Sequence, residues 1–216
     1  LPTDSLPLSL KPSIDSAIQQ TSTDNKERII SFCKIKKDII PTDIVSGDHK
    51  SAVIQDCNNS QKVGDFHTHP YIEQALGTTP SEQDYYANLN ESKIYKVKQV
   101  SCIATQQSKY IHCFEPKKIP NQQKINQYST NDDKFFIENL YKDFKHGWYD
   151  KNTFKRVTPK IEEILDDGFG KSKDMIKSSN DIAQIKNSCK NVGGFNANDK
   201  KYKDVLIKVC YRNMLS

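Results

Sequence analysis

The chain has 216 residues, 35% hydrophobic and 27% charged, with a formal net charge of +5. That is enough chain for a sizeable core, and no apolar run approaches the roughly 20 residues of a membrane-spanning helix, so a soluble globular protein is expected. The six cysteines, Cys33, Cys57, Cys102, Cys113, Cys189 and Cys210, include no C-x-x-C pair, which argues against a cysteine zinc finger.

Charge is unevenly placed. Residues 1–116 hold 12 basic and 14 acidic side chains, whereas residues 117–216 hold 20 basic and 13 acidic ones. A basic half suits an acidic partner, and it equally describes a solvated, lysine-rich helical surface; nucleic acid is the weaker expectation. A start at Leu1 rather than Met reads as a trimmed N-terminus, which leaves a removed signal peptide open; with no basic-then-apolar leader in view the expected location is cytoplasmic. Whether the cysteines are buried thiols or form at least one disulfide stays open, with Cys102 and Cys113 set symmetrically about a hairpin turn.

In chain order, Pro2 and Pro7 mark an extended lead-in. Ile14, Ala17 and Ile18 recur at helical spacing over residues 12–20. Residues 27–35 are rich in β-branched and apolar side chains and predict a strand. Residues 36–50, broken by Pro41 and Gly47, read as a loop. Short strands follow at 51–55 and 63–69, then a loop over 70–80 with two prolines and Gly77. A helix is predicted over 81–92, and strands over 95–104 and 110–114. After Pro116 helical spacing takes over, with Phe136, Leu140 and Phe144 on one stripe and Thr158-Pro159 opening a helix that carries Ile161, Ile164 and Leu165. Further helices are suggested around Met175 and Ile176, Ile182 and Ile185, and Tyr202 to Cys210. The expected layout is an α/β unit over residues 1–116 and a basic helical extension over 117–216.

The chemistry concentrates in Gly64-Asp65-Phe66-His67-Thr68-His69-Pro70 and Ser81-Glu82-Gln83-Asp84. Strand side chains at i and i+2 share a face, so His67 and His69 offer two imidazoles to one point. A helix starting near Ser81 carries Asp84 in its first turn. Two imidazoles, one carboxylate and an open position make a catalytic zinc site, the open position holding a water made nucleophilic at neutral pH. Alone, His-x-His on a strand more often means two surface or hydrogen-bonded histidines, and Ser-x-x-Asp more often means a capping box. Their combination around a strand, loop and helix favours the metal.

The pattern His67-x-His69-Pro70, then Ser81-x-x-Asp84, resembles the JAMM (MPN+, JAB1/MPN/Mov34) metalloprotease motif. That family also has an upstream glutamate on the strand after its first helix, and Glu27, the only glutamate before His67, heads the predicted strand. The resemblance spans roughly residues 10–115 and implies a JAMM-like α/β fold, a curved mixed sheet flanked by helices. It implies Zn2+ held by His67, His69 and Asp84, Glu27 as general acid/base, and Ser81 as donor to the oxyanion. The implied activity is removal of a ubiquitin-like modifier from lysine conjugates. The alternatives are a catalytically silent scaffold of the same fold, or a zinc amidohydrolase acting on a small or non-protein amide. The loop before Ser81 is a few residues longer than in the family, and Ile30 stands where the family has glycine.

Among the other residues, His112 reads as structural and His49 and His146 as surface groups. Trp148 and Tyr149 read as core of the extension. Cys57 is a minor candidate for approaching the metal.

Overall fold

A computed structural model describes residues 1–48, 56–58, 60–72, 76–129 and 133–171. Helix α1 (Lys11–Asp24) leads into strands β1 (Arg28–Ile35), β2 (Asp38–Pro41), β3 (Val45–Ser46) and β4 (Gln61–Thr68). Helix α2 (Glu82–Tyr95), strands β5 (Val100–Ala104) and β6 (Tyr110–Pro116), and helices α3 (Gln122–Tyr128) and α4 (Asp133–Asp143) follow. Strands β7 (Phe144–Asp150) and β8 (Arg156–Val157) and helix α5 (Ile161–Phe169) complete the described chain.

The strands form one mixed sheet in the order β2-β1-β4-β5-β6-β7-β8, with β3 also pairing β1. β4 and β5 run parallel, which a tight hairpin cannot connect; α2 supplies the crossover. Gly64 sits opposite Val100 in that pair, and a Cβ there would lie 2.2 Å from the Val100 carbonyl oxygen. Glycine is therefore what allows the two strands to close at this point.

Strand alternation divides the core between two faces. On one face, Ile14, Ala17 and Ile18 of α1 pack with Ile30, Phe66, Ile111 and Tyr149. On the other, Tyr85 and Leu89 of α2 pack with Ile103, Phe114, Tyr128 of α3 and Phe136 and Leu140 of α4. Each fully buried large apolar side chain contributes roughly 1.5–3 kcal/mol relative to exposure. Phe66 belongs to the α1 face, so its neighbour His67 turns to the α2 face.

Several expectations are corrected. The stretch 36–50 holds β2 and β3, because Lys36 takes a left-handed φ of 56° and folds β2 back on β1, pairing Ile35 with Asp38. Three consecutive charged residues had disguised that hairpin. The expected all-helical extension after residue 116 contains β7 and β8. β7 pairs with β6 along its whole length, from Tyr110 opposite Asp150 to Pro116 opposite Phe144. The sheet therefore runs across the expected boundary at 116, and Trp148 and Tyr149 belong to it. The strand expected at 51–55 and the helices expected beyond residue 171 lie outside the described residues.

The cysteine question resolves into two disulfides, Cys33–Cys57 and Cys102–Cys113, the second joining directly opposed residues of β5 and β6. Among the described residues no cysteine is free; Cys189 and Cys210 lie outside them. Among the same residues no helix is long and apolar enough to cross a membrane.

Candidate metal centre

His67 is the penultimate residue of β4, and His69 lies just beyond its end. The His69 amide donates to the Ala104 carbonyl at 3.1 Å, so strand geometry persists through it and both imidazoles share the α2 face. This is the carboxyl end of a strand in a parallel pair, where α/β sheets open a crevice.

The β1–β4 register pairs Ile29 with His67. Continued by two residues, it sets Glu27 opposite His69, and the Glu27 Oε1 lies 3.8 Å from the His69 Nε2. The Glu27 backbone is fixed on its outer side: its amide donates to the Asp48 carbonyl at 2.7 Å and its carbonyl accepts from the Gly47 amide at 2.8 Å. Next to it, the Arg28 amide donates to Thr68 Oγ1 at 2.8 Å, and the Arg28 guanidinium grips both carboxylate oxygens of Asp24 at 2.9 and 2.7 Å.

Asp84 enters from the first turn of α2. Ser81 caps that helix, its hydroxyl oxygen accepting from the Asp84 amide at 3.2 Å while Asp84 Oδ2 accepts from the Ser81 amide at 2.8 Å. The capping box and the site are thus one arrangement, since Asp84 Oδ1 is 3.4 Å from His67 Nε2 and Oδ2 is 3.6 Å from His69 Nε2. Accepting with a lone pair leaves the Ser81 hydroxyl its own proton to donate.

The two Nε2 atoms are 3.1 Å apart. A tetrahedral ion with ligands at about 2.0–2.1 Å requires donor atoms about 3.3–3.4 Å from one another. The two Nε2 atoms and the Asp84 carboxylate are of that order apart, His67 Nε2 facing Oδ1 at 3.4 Å and His69 Nε2 facing Oδ2 at 3.6 Å, so both imidazoles and the carboxylate converge on one small space. Donor atoms of Glu27, His67 and His69 all lie within 4.8 Å of one another, and all three residues are buried. This buried group can hold a metal ion.

The His69 ring is oriented from behind: its Nδ1 donates to the Gly77 carbonyl at 2.6 Å, which leaves the Nε2 lone pair facing the site. Without an ion, charge balance inside the cluster is uneasy. Burial pushes the Glu27 carboxyl up, the two imidazoles only partly opposing it. Burial also works against the His67 imidazolium, but the Asp84 carboxylate, with help from Glu27 and Asp65, outweighs it and raises the pKa to about 9. Asp84 is driven well below the usual carboxylate range, burial being overcome by His67 and His69. A cation would relieve the same imbalance.

The residues singled out as ligands and base therefore lie together, with Ser81 one helical turn from Asp84. Gly77 was missed, and no local sequence signal separates it from any other loop glycine. Cys57 is tied to Cys33 and is no ligand. His146, expected on the surface, is half-buried, with its Nδ1 3.0 Å from His112 Nε2. His112 stacks on Trp148 at 4.8 Å between ring centroids, and its Nδ1 donates to the Thr78 carbonyl at 3.0 Å. Burial, with His112 and Lys117 adding, holds the His146 pKa well below the ordinary histidine value. No protein-family model matches the chain, and no curated protein matches it.

Proposed function

We propose that the protein is a zinc-dependent amide hydrolase of the JAMM type. One observation carries the reading: the convergence of the His67 and His69 Nε2 atoms, 3.1 Å apart, on the Asp84 carboxylate at 3.4 and 3.6 Å, beside a buried Glu27. Two imidazoles and a carboxylate suit zinc among the common divalent ions. When bound, zinc supplies Lewis acidity that polarises a carbonyl and lowers the pKa of water.

The chain's own groups supply the remainder. Glu27, with Oε1 beside His69, is the candidate to take a proton as the carboxylate and return it to a leaving amine, and the upward shift from burial makes it a stronger base that holds the proton between the two steps. Ser81, fixed at the cap of α2, is the candidate donor to a developing oxyanion, a role worth about 3 kcal/mol where it operates. His67, His69 and Asp84 hold the ion.

The lysine isopeptide bond after a ubiquitin-like modifier is the substrate proposed from the motif. The two disulfides favour a second reading. Such bonds persist in oxidising compartments and are rare in the reducing cytoplasm, so they support a non-cytoplasmic setting and an amide substrate found there. Assays comparing a modifier–lysine isopeptide with small acyl-lysine amides separate the two.

The test of the site begins with metal content. The purified protein should take up one equivalent of zinc; Asp84→Asn and His67→Ala should lose it. Glu27→Gln should retain the metal and lose on the order of 10²–10⁴ in hydrolysis rate. Unchanged zinc content in Asp84→Asn and His67→Ala would refute the assignment.

A further inference from the structure

The loop that follows His69 is gripped by a helix nearly a hundred residues further along the chain. Helix α5 ends at Phe169, and the last carbonyls of a helix have no partner within it. Two of them are supplied by the loop: the Asp167 carbonyl accepts from the Thr78 amide at 3.0 Å, and the Gly168 carbonyl accepts from Thr79 Oγ1 at 3.0 Å. Both threonines and Asp167 are buried.

Gly77 makes this approach sterically feasible. Its φ is +44°, and a Cβ there would stand 2.1 Å from the Asp167 carbonyl oxygen. The helix end is in turn anchored to the sheet. The Asp167 carboxylate accepts from the Lys109 amide at 3.0 Å and from the Tyr110 amide at 2.8 Å, where β6 begins. On the loop's other side, His112 of β6 donates to the Thr78 carbonyl at 3.0 Å. Residues 77–79 are thus held between α5 and β6, and the carbonyl presented by this clamp is that of Gly77, the acceptor for His69 Nδ1.

We propose that α5 is a positioning element for the metal site, setting the tautomer and direction of His69 through the Gly77 carbonyl, with Asp167 of the helix and Thr79 of the loop as the positioning residues. The proposal rests on the reading of His67, His69 and Asp84 as ligands. It gives a segment outside the motif a defined role: α5 makes the His69 Nε2 lone pair point where Asp84 and His67 also point.

Two substitutions in the full chain test it. Thr79→Val removes the hydroxyl at nearly constant shape, and Asp167→Asn places an amide group against two backbone N–H donors. Zinc affinity, measured by chelator competition, should weaken by about ten- to a hundredfold, the usual consequence of losing an outer hydrogen-bond partner. Ring nitrogen shifts of His69 in the metal-free protein should report a single Nδ1–H tautomer in the wild type and a mixture in both variants. A remote core variant, Ile14→Val, should leave both readouts unchanged, as a purely structural role for α5 would. If Asp167→Asn fails to fold, Thr79→Val decides. The proposal is overturned if the folded variants keep the wild-type tautomer. A tautomer shift in a protein that binds no zinc at all would instead sustain the positioning role and remove the metal reading.

Discussion

Breaking the disulfide between Cys33 and Cys57 has a cost that follows from the fold. The bond closes a loop of sequence separation 24, and the Cys102–Cys113 bond one of 11. Restricting the unfolded chain by loops of those lengths stabilises the native state by about 3.4 and about 2.8 kcal/mol respectively. For a chain of this size those values correspond to roughly 7–14 °C and 6–11 °C in Tm. The two bonds differ in access. Cys102 and Cys113 are wholly buried between paired strands, whereas Cys57 is half-exposed. Reductant should therefore open Cys33–Cys57 in the folded protein and reach Cys102–Cys113 only on unfolding. Urea unfolding with and without dithiothreitol, together with peptide mapping of thiols, measures both effects. If the proposed site holds zinc, its affinity should survive reduction of Cys33–Cys57, because neither sulfur belongs to the proposed ligand set. Identical urea midpoints in oxidised and fully reduced protein, or Cys102 and Cys113 reduced before Cys33 and Cys57, would refute this reasoning.

Gly64→Ala places a methyl group against the Val100 backbone, which has no flexible side chain to move aside; a loss on the order of 1–3 kcal/mol is expected from such overpacking, read as a lower urea midpoint, and an unchanged midpoint would show that β4 and β5 are not paired there. The Arg28 guanidinium, by hydrogen bonding, lowers the Asp24 pKa from 3.8 to about 2. A depressed carboxylate contributes stability that is present above the unfolded value and lost as pH falls through the folded one. The stability gap between wild type and Asp24→Asn should therefore be widest above about pH 4 and close towards pH 2; a gap independent of pH in thermal melts would exclude the ion pair as its source.

How much of the site was legible depends on which geometry each residue needed. His67 and His69 share a face because alternate strand residues do so in any sheet, and Ser81 and Asp84 meet because a helix cap brings its first and fourth positions together. Glu27 was harder: its partner is more than forty positions away, and it was found through the resemblance. The β1–β4 register, which carries it to His69, involves a pairing that no local pattern encodes. Gly77 and Asp167 were invisible for the same reason, since their roles consist of contacts with segments far along the chain.

The amino-acid order by itself determined the local units: the alternating strand that aims two imidazoles one way, the capped helix that offers Asp84, and the apolar spacing of α1. These depend on backbone periodicities that any chain obeys. The tertiary structure decided the remainder: β7 and β8 joining the sheet beyond residue 116, the pairing of four cysteines into two bonds, and the clamp of α5 on the loop behind His69. Each is a choice among distant partners, settled by which burial and hydrogen-bonding arrangement satisfies the whole chain at once.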